Sequence, residues 1–154
     1  MHIEIERRYL VKKIPLNILS SISIKQYYIF ISDSFVQRIR FFNNKKCILS
    51  IKQVTADISK YEFEYEIPIE DGYKIIDISK NAPCIDKIRH RIREGNFIWE
   101  VDEFLADNRG LIIAEIELSS TDQKFNKPEW LDKEISDRPE YFNFNLANNP
   151  YVRW

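Results

Sequence analysis

The sequence predicts an α+β fold in which an antiparallel β-sheet closes into a barrel with charge inside and helices packed outside. Three observations carry this. Seven segments alternate charged and apolar residues with period two, the signature of strands. Their charged faces come in blocks of one sign, dominated by Arg and carboxylates rather than the Thr, Ser and Gln of a solvated face. Other stretches between them carry helical spacing or capping signals that suit a cover for the apolar faces.

The first strand, His2–Val11, sets Glu4, Glu6 and Arg8 against Ile3 and Ile5. Phe35–Phe42 puts Arg38 and Arg40 on one face, and Ile48–Val54 sets Lys52 against Leu49 and Ile51. Tyr61–Ile67 aligns Glu62, Glu64 and Glu66 opposite Tyr61, Phe63 and Tyr65. Ile85–Arg93 aligns Lys87, Arg89, Arg91 and Arg93, Phe97–Phe104 carries Glu100 and Asp102, and Leu111–Leu118 carries Glu115 and Glu117. Strands one, four, six and seven are thus acidic, and two, three and five basic.

Pro15–Ser23 spaces Leu16, Ile18, Leu19 and Ile22 as a helix behind a first-turn proline, and Ile69–Lys80 spaces Ile69, Tyr73 and Ile76 by four and three. Ser120 through Gln123 and Asp137 through Glu140 fit capping boxes, each opening a helix. Asn43 with Asn44, Glu94 through Asn96, and Asp107 through Gly110 read as hairpin turns. No linker or repeat divides the 154 residues, so one domain, 1–154, is expected.

Composition removes several function classes. With 23 basic and 24 acidic side chains the net charge is −1, which argues against bulk electrostatic binding of nucleic acid; no nucleic-acid partner is expected. The chain has 3 glycines and neither a G-x-x-x-x-G-K nor a G-x-G-x-x-G loop. His2 and His90 are isolated, leaving no histidine-activated nucleophile, and Cys47 and Cys84 read as two small buried or half-buried thiols. Met1 leads straight into a charged strand and no apolar run approaches a membrane span, so a cytoplasmic protein with no membrane partner is expected. Mixed charge in one enclosed space suits a polyanion bound with metal: Arg and Lys take phosphate oxygens, while carboxylates hold Mg²⁺ or Mn²⁺.

Taken in order, these residues resemble the CYTH superfamily, the triphosphate tunnel metalloenzymes, over nearly the whole chain. Glu4, Glu6 and Arg8 resemble the N-terminal E-x-E-x-K signature, with Arg in place of Lys. Arg38 and Arg40 resemble its R-x-R strand, Ser50 and Lys52 its T-x-K, Glu64 and Glu66 its E-x-E, and Lys87 and Arg89 its K-x-R. Trp99, Glu100 and Asp102 resemble a W-E-x-D strand, and Gly110, Leu111, Glu115 and Glu117 a G-L-x-x-x-E-x-E strand. Trp130 to Ile135 and Tyr141 to Ala147 echo two further family motifs near the C-terminus.

The resemblance implies an eight-stranded antiparallel tunnel, with the eighth strand at Lys25–Ile31, acting on a small-molecule triphosphate with a divalent metal. It implies metal ligation by Glu4, Glu6, Glu64, Asp102, Glu115 and Glu117, and phosphate contacts from Arg8, Arg38, Arg40, Lys52, Lys87 and Arg89. Glu4, Glu6, Arg8, Lys87 and Arg89 are the expected catalytic set. Hydrolysis is the leading expectation; cyclisation of ATP and non-catalytic polyphosphate or nucleotide binding are the alternatives, and a homodimer is left open.

Overall fold

A computed structural model describes residues 2–154. The strands are β1 (His2–Val11), β2 (Ile18–Ile31), β3 (Phe35–Phe42), β4 (Lys46–Gln53), β5 (Ser59–Ile67), β6 (Cys84–Glu94), β7 (Phe97–Phe104), β8 (Ile112–Glu117) and the short β9 (Leu131–Glu134). Two α-helices, α1 (Ile69–Ser79) and α2 (Asn143–Asn148), accompany them. All pairings are antiparallel. The sheet runs β5-β4-β3-β2-β6-β7-β8-β1, and β5 then pairs with β1 to close an eight-stranded barrel.

One strand holds the closure by serving both neighbours. The first half of β1 pairs with β5 (Ile3 opposite Tyr61, Glu4 opposite Lys60), and its second half pairs with β8 (Glu6 opposite Glu117, Arg8 opposite Glu115). β9 continues the wall where β5 leaves off, setting Tyr9 opposite Glu134 and Val11 opposite Leu131. The hairpin turns fall where the sequence puts them. Asn43 and Asn44 take φ of 51° and 55°, the paired left-handed conformation of a two-residue turn, and Gly95 takes φ of 60°.

The apolar bulk lies outside the barrel wall, beneath its covers. Ile39, Phe41 and Cys47 on β3 and β4 pack under Ile69, Ile75 and Ile76 of α1. Tyr9, Trp99, Val101 and Ile116 pack with Phe125 and Trp130 of the segment before β9. Ile85, Phe104, Leu111 and Ile113 pack with Ile135 and Leu146 near the C-terminus. Helix α1 sits so close that a Cβ on Gly72 would collide with the Cys47 sulfur and press on the Phe41 ring at 3.1 Å. Gly72→Ala is expected to lower stability by about 1–3 kcal/mol, the usual cost of overpacking, as read from a denaturant midpoint.

Three predicted covers turn out differently. Pro15–Ser23 is no helix: from Ile18 it is the start of β2, continuous with the strand expected at Lys25–Ile31. The run is rich in Ile and Ser, both poorer helix formers than Leu or Ala, and its register against β6, from Ile18 opposite Ile92 to Tyr27 opposite Cys84, overrides the accidental four-three spacing. No helix follows Ser120; the stretch to Pro128 offers only Phe125 as apolar anchor, and Gln123 instead accepts a hydrogen bond from the Ser119 backbone N–H. Behind Asp137 stand a 3₁₀ turn, Pro139–Tyr141, and then α2, neither with a side-chain cap. Cys84 is exposed, not half-buried. Among the described residues no helix is long and apolar enough to cross a membrane.

Candidate functional site

The charged faces of β1 and β3–β8 do converge on one lumen, a cavity of about 280 Å³. Seven cations line it (Arg8, Arg38, Arg40, Lys52, Lys60, Lys87 and Arg89) together with seven carboxylates (Glu4, Glu6, Glu62, Glu64, Glu100, Glu115 and Glu117). Every residue expected at the site lines this space except Asp102, which stands one layer behind it. Arg91 and Arg93, on the same face of β6 as Lys87 and Arg89, lie exposed beyond the cavity lining.

Ion pairs across the lumen hold these groups in place. On the β3–β5 wall, Arg38 donates through Nε to Ser50 Oγ (2.9 Å) and through Nη2 to Glu62 Oε1 (3.0 Å). Arg40 Nη2 reaches Glu64 Oε2 at 2.7 Å. Lys52 Nζ bridges three carboxylates, Glu4 at 2.7 Å, Glu6 at 3.3 Å and Glu62 at 3.9 Å. Burial works against the Lys52 charge, but Glu6 and Glu4 outweigh it and hold its pKa above the ordinary lysine value. Arg40 lacks that surplus: burial, with Arg38 and Arg89 nearby, brings its pKa down despite Glu62 and Glu64.

The opposite wall is organised by Asp102. Arg89 grips it with a fork, Nε to Oδ1 at 2.7 Å and Nη2 to Oδ2 at 2.9 Å, and Lys87 Nζ meets Oδ2 at 2.9 Å. Burial favours the neutral acid, yet Arg89 and Lys87 together hold its pKa well below the usual carboxylate range. Lys87 is pushed down to about 8 by burial, against the pull of Asp102, with Arg89 adding repulsion. Asp102 therefore has both oxygens engaged and acts on the cavity through the cations it holds.

Exposure is graded along the lumen. The side chains of Glu117, Glu100 and Glu64 are 60%, 41% and 39% exposed, whereas those of Arg8, Lys87 and Asp102 are 5%, 2% and 1%. The C-terminal segment covers the deep end, lending Phe142, Asn143 and Phe144 to the lining. Asn143 Oδ1 accepts from Lys87 Nζ (3.0 Å), and the Tyr141 carbonyl accepts from Arg8 Nη2 (3.0 Å) while Arg8 Nε faces Glu115 Oε1 at 3.2 Å. A guanidinium fork serves both partners at once; the single ammonium of a lysine is less suited to spanning them.

The acidic end is crowded. Burial raises the Glu100 pKa, with Glu115, Asp102 and Glu6 adding to it against Arg89; burial also raises that of Glu117, with Glu4, Glu6 and Glu62 adding to it against His2. Among the described residues no three carboxylates, histidines or cysteines converge as a metal cage; Lys52 lies among Glu4, Glu6 and Glu62, and Arg89 contacts both Glu100 and Glu115.

The E-x-E resemblance, at Glu64 and Glu66, falls one step too far along β5. The strand delivers Glu62 and Glu64 to the lumen, with Glu62 only 2% exposed, and leaves Glu66 exposed outside the lining. Glu62 is legible as a member of the acidic face, on which it alternates with Phe63 ahead of Glu64. Glu100 was legible in the same way, and Lys60 shares the face of Glu62 two residues earlier. Nothing in the sequence signalled Ser50 or the Tyr141 carbonyl as partners of the arginines.

A closed antiparallel barrel with opposed rows of cations and carboxylates inside has the enclosure and the charge to hold a small polyanion. The sequence profile described as the CYTH domain matches residues 2–148, and the chain belongs to that family. A protein of Acetivibrio thermocellus described as inorganic triphosphatase is 40% identical over 149 residues, 96% of this chain and 95% of that one. One of Nitrosomonas europaea with the same description is 26% identical over 149 residues, 94% of this chain and 96% of that one. A crystal structure of an inorganic triphosphatase matches with a TM-score of 0.70 at 25% identity, covering 96% of this chain and 95% of that chain.

Proposed function

We propose that this chain hydrolyses a phosphoanhydride bond of a small-molecule triphosphate, inorganic tripolyphosphate first among them, with a divalent metal. The observation that carries the reading is the convergence of seven cations and seven carboxylates on one enclosed cavity. The 40% identical relative described as inorganic triphosphatase, matched over nearly its whole length, supports the choice of substrate.

Arg38, Arg40, Lys52, Arg8, Lys87 and Arg89 take the phosphate oxygens, the arginines through their forks. At Arg8, Arg38, Arg40 and Lys52 binding exchanges partners, phosphate oxygens replacing the carboxylate oxygens that these cations hold. Ser50, Asn143 and Asp102 are positioning residues, fixing Arg38, Lys87 and Arg89 before the substrate arrives. Enclosure strengthens each contact by excluding water.

The donor set fits a hard divalent cation. Glu4, Glu6, Glu115 and Glu117, with Glu100 beside them, form the crowded acidic end, where burial and the neighbouring carboxylates favour the protonated forms of Glu100 and Glu117. Mg²⁺ and Mn²⁺ fit such a set, since Mg²⁺ in particular is commonly bound by one or two carboxylates plus substrate phosphates rather than by an all-protein cage. When bound, the ion polarises a phosphoryl oxygen and neutralises developing charge. Glu64, tied to Arg40 at the open end, is kept as an outer acidic neighbour, and Asp102 is assigned to anchoring cations.

Free phosphate should be released from tripolyphosphate in the presence of Mg²⁺ or Mn²⁺, and product analysis on ATP separates hydrolysis from cyclisation, which would yield a cyclic nucleotide and pyrophosphate. Chelation with EDTA is expected to abolish turnover while the circular dichroism spectrum is preserved, and metal addition should restore it. Turnover that persists in EDTA would remove the metal from the proposal.

A further inference from the structure

Lys60 is set apart from the other cations of the lumen. Arg8, Arg38, Arg40, Lys52, Lys87 and Arg89 each lie within 4 Å of at least one carboxylate. Among the described residues Lys60 has no such partner, although β5 pairs it directly with Glu4 of β1 and its side chain lines the same cavity. Its ammonium instead rests over the Phe142 ring, 4.7 Å from the centroid, where the C-terminal segment contributes to the lining. A ring face holds an ammonium loosely and non-exclusively, leaving its N–H donors for another acceptor. Burial, with Lys52 and Arg8 nearby, also lowers the pKa of Lys60 against the pull of Glu6 and Glu4, as expected of a half-buried cation short of counter-charge.

We infer that Lys60 is a substrate-binding residue that receives a phosphate oxygen of the triphosphate without first giving up an ion pair, with Phe142 holding the ammonium in readiness. This rests on the reading of the lumen as a triphosphate site. Of the six paired cations, Arg8, Arg38, Arg40 and Lys52 exchange one anion for another when substrate enters, and Lys87 and Arg89 share their charge with Asp102, so part of each new contact is offset. Lys60 has no carboxylate contact to break, so less of its attraction for the polyanion is offset. Its removal also strands no buried carboxylate, so the variants keep the fold.

The test compares Lys60→Met, Lys60→Gln and Lys60→Arg with the parent. Steady-state phosphate release from tripolyphosphate is measured with Mg²⁺, and tripolyphosphate and pyrophosphate binding by calorimetry without metal. Lys60→Met and Lys60→Gln are expected to raise KM for tripolyphosphate by about tenfold or more with kcat changed less than about threefold, and to weaken its binding to the metal-free protein in step. Lys60→Arg, which keeps the charge, should return KM to within a few-fold of the parent. If the two neutral variants bind and turn over tripolyphosphate like a parent that is itself active, Lys60 is a solvated strand residue and the inference falls while the triphosphatase reading stands. If the parent neither binds nor hydrolyses tripolyphosphate, both fall.

Discussion

Asp102→Ala is expected to cost about 3–5 kcal/mol of unfolding free energy, the range for removing one member of a buried ion-pair group. The carboxylate is wholly buried and supports two cations, Arg89 through both its oxygens and Lys87 through one. Without it, two positive charges stand side by side on one face of β6, with Glu115, Glu100 and Asn143 as the remaining polar partners. Urea unfolding reads the loss directly, and Asp102→Asn, which keeps the shape and an acceptor, should recover part of it. Tripolyphosphate should raise the midpoint of Asp102→Ala more than that of the parent, since an anion in the lumen supplies the missing counter-charge. A variant as stable as the parent would mean that Lys87 gives up its charge instead, a route made accessible by a pKa already near 8.

Glu6→Gln is expected to have the opposite profile, a large loss of activity with a small change in stability. Glu6 belongs to the crowded acidic end, and its partner Lys52 keeps Glu4 and Glu62 when Glu6 is neutralised. No buried charge is left alone, and one source of repulsion toward Glu100 and Glu117 is removed. On the proposed ligation the metal, by contrast, would lose a hard anionic donor, and kcat/KM for tripolyphosphate should fall by on the order of 10²–10³-fold. Near-parental turnover at limiting Mg²⁺ would withdraw Glu6 as a ligand.

The barrel was legible because its strands obey period two so consistently; β1, β3 and β7 begin and end where alternation does. β2 was half hidden, because a run of Ile, Leu and Ser carries no charge to mark one face and admits a helical spacing by chance. β9 was hidden altogether: four residues cannot establish a period, and it exists because β1 has backbone groups left to pair where β5 departs. Within the site, the row of alternate glutamates on β5 is periodic in itself, so nothing local says which of them faces the lumen. Register decides, through Lys52 opposite Glu62 on one side and His2 opposite Glu62 on the other. Pairing likewise demoted Asp102 from the lining to the layer behind it, since alternation gives the face but not the depth.

The equal numbers of cations and carboxylates in the lumen set the range at which the barrel can sense its ligand. A dense array of opposite charges in close pairs has almost no field beyond its own dimensions, and physiological salt screens what remains within about 8 Å. A triphosphate approaching the barrel is therefore not drawn in from afar, as it would be by a surface of one sign. It meets first the partly exposed carboxylates Glu117, Glu100 and Glu64, which repel it unless a divalent cation travels with it or waits there. Selectivity on this account begins at the entrance, where a bare polyanion enters against repulsion and a metal-bound one, carrying less charge, passes more readily to the deeper arginines.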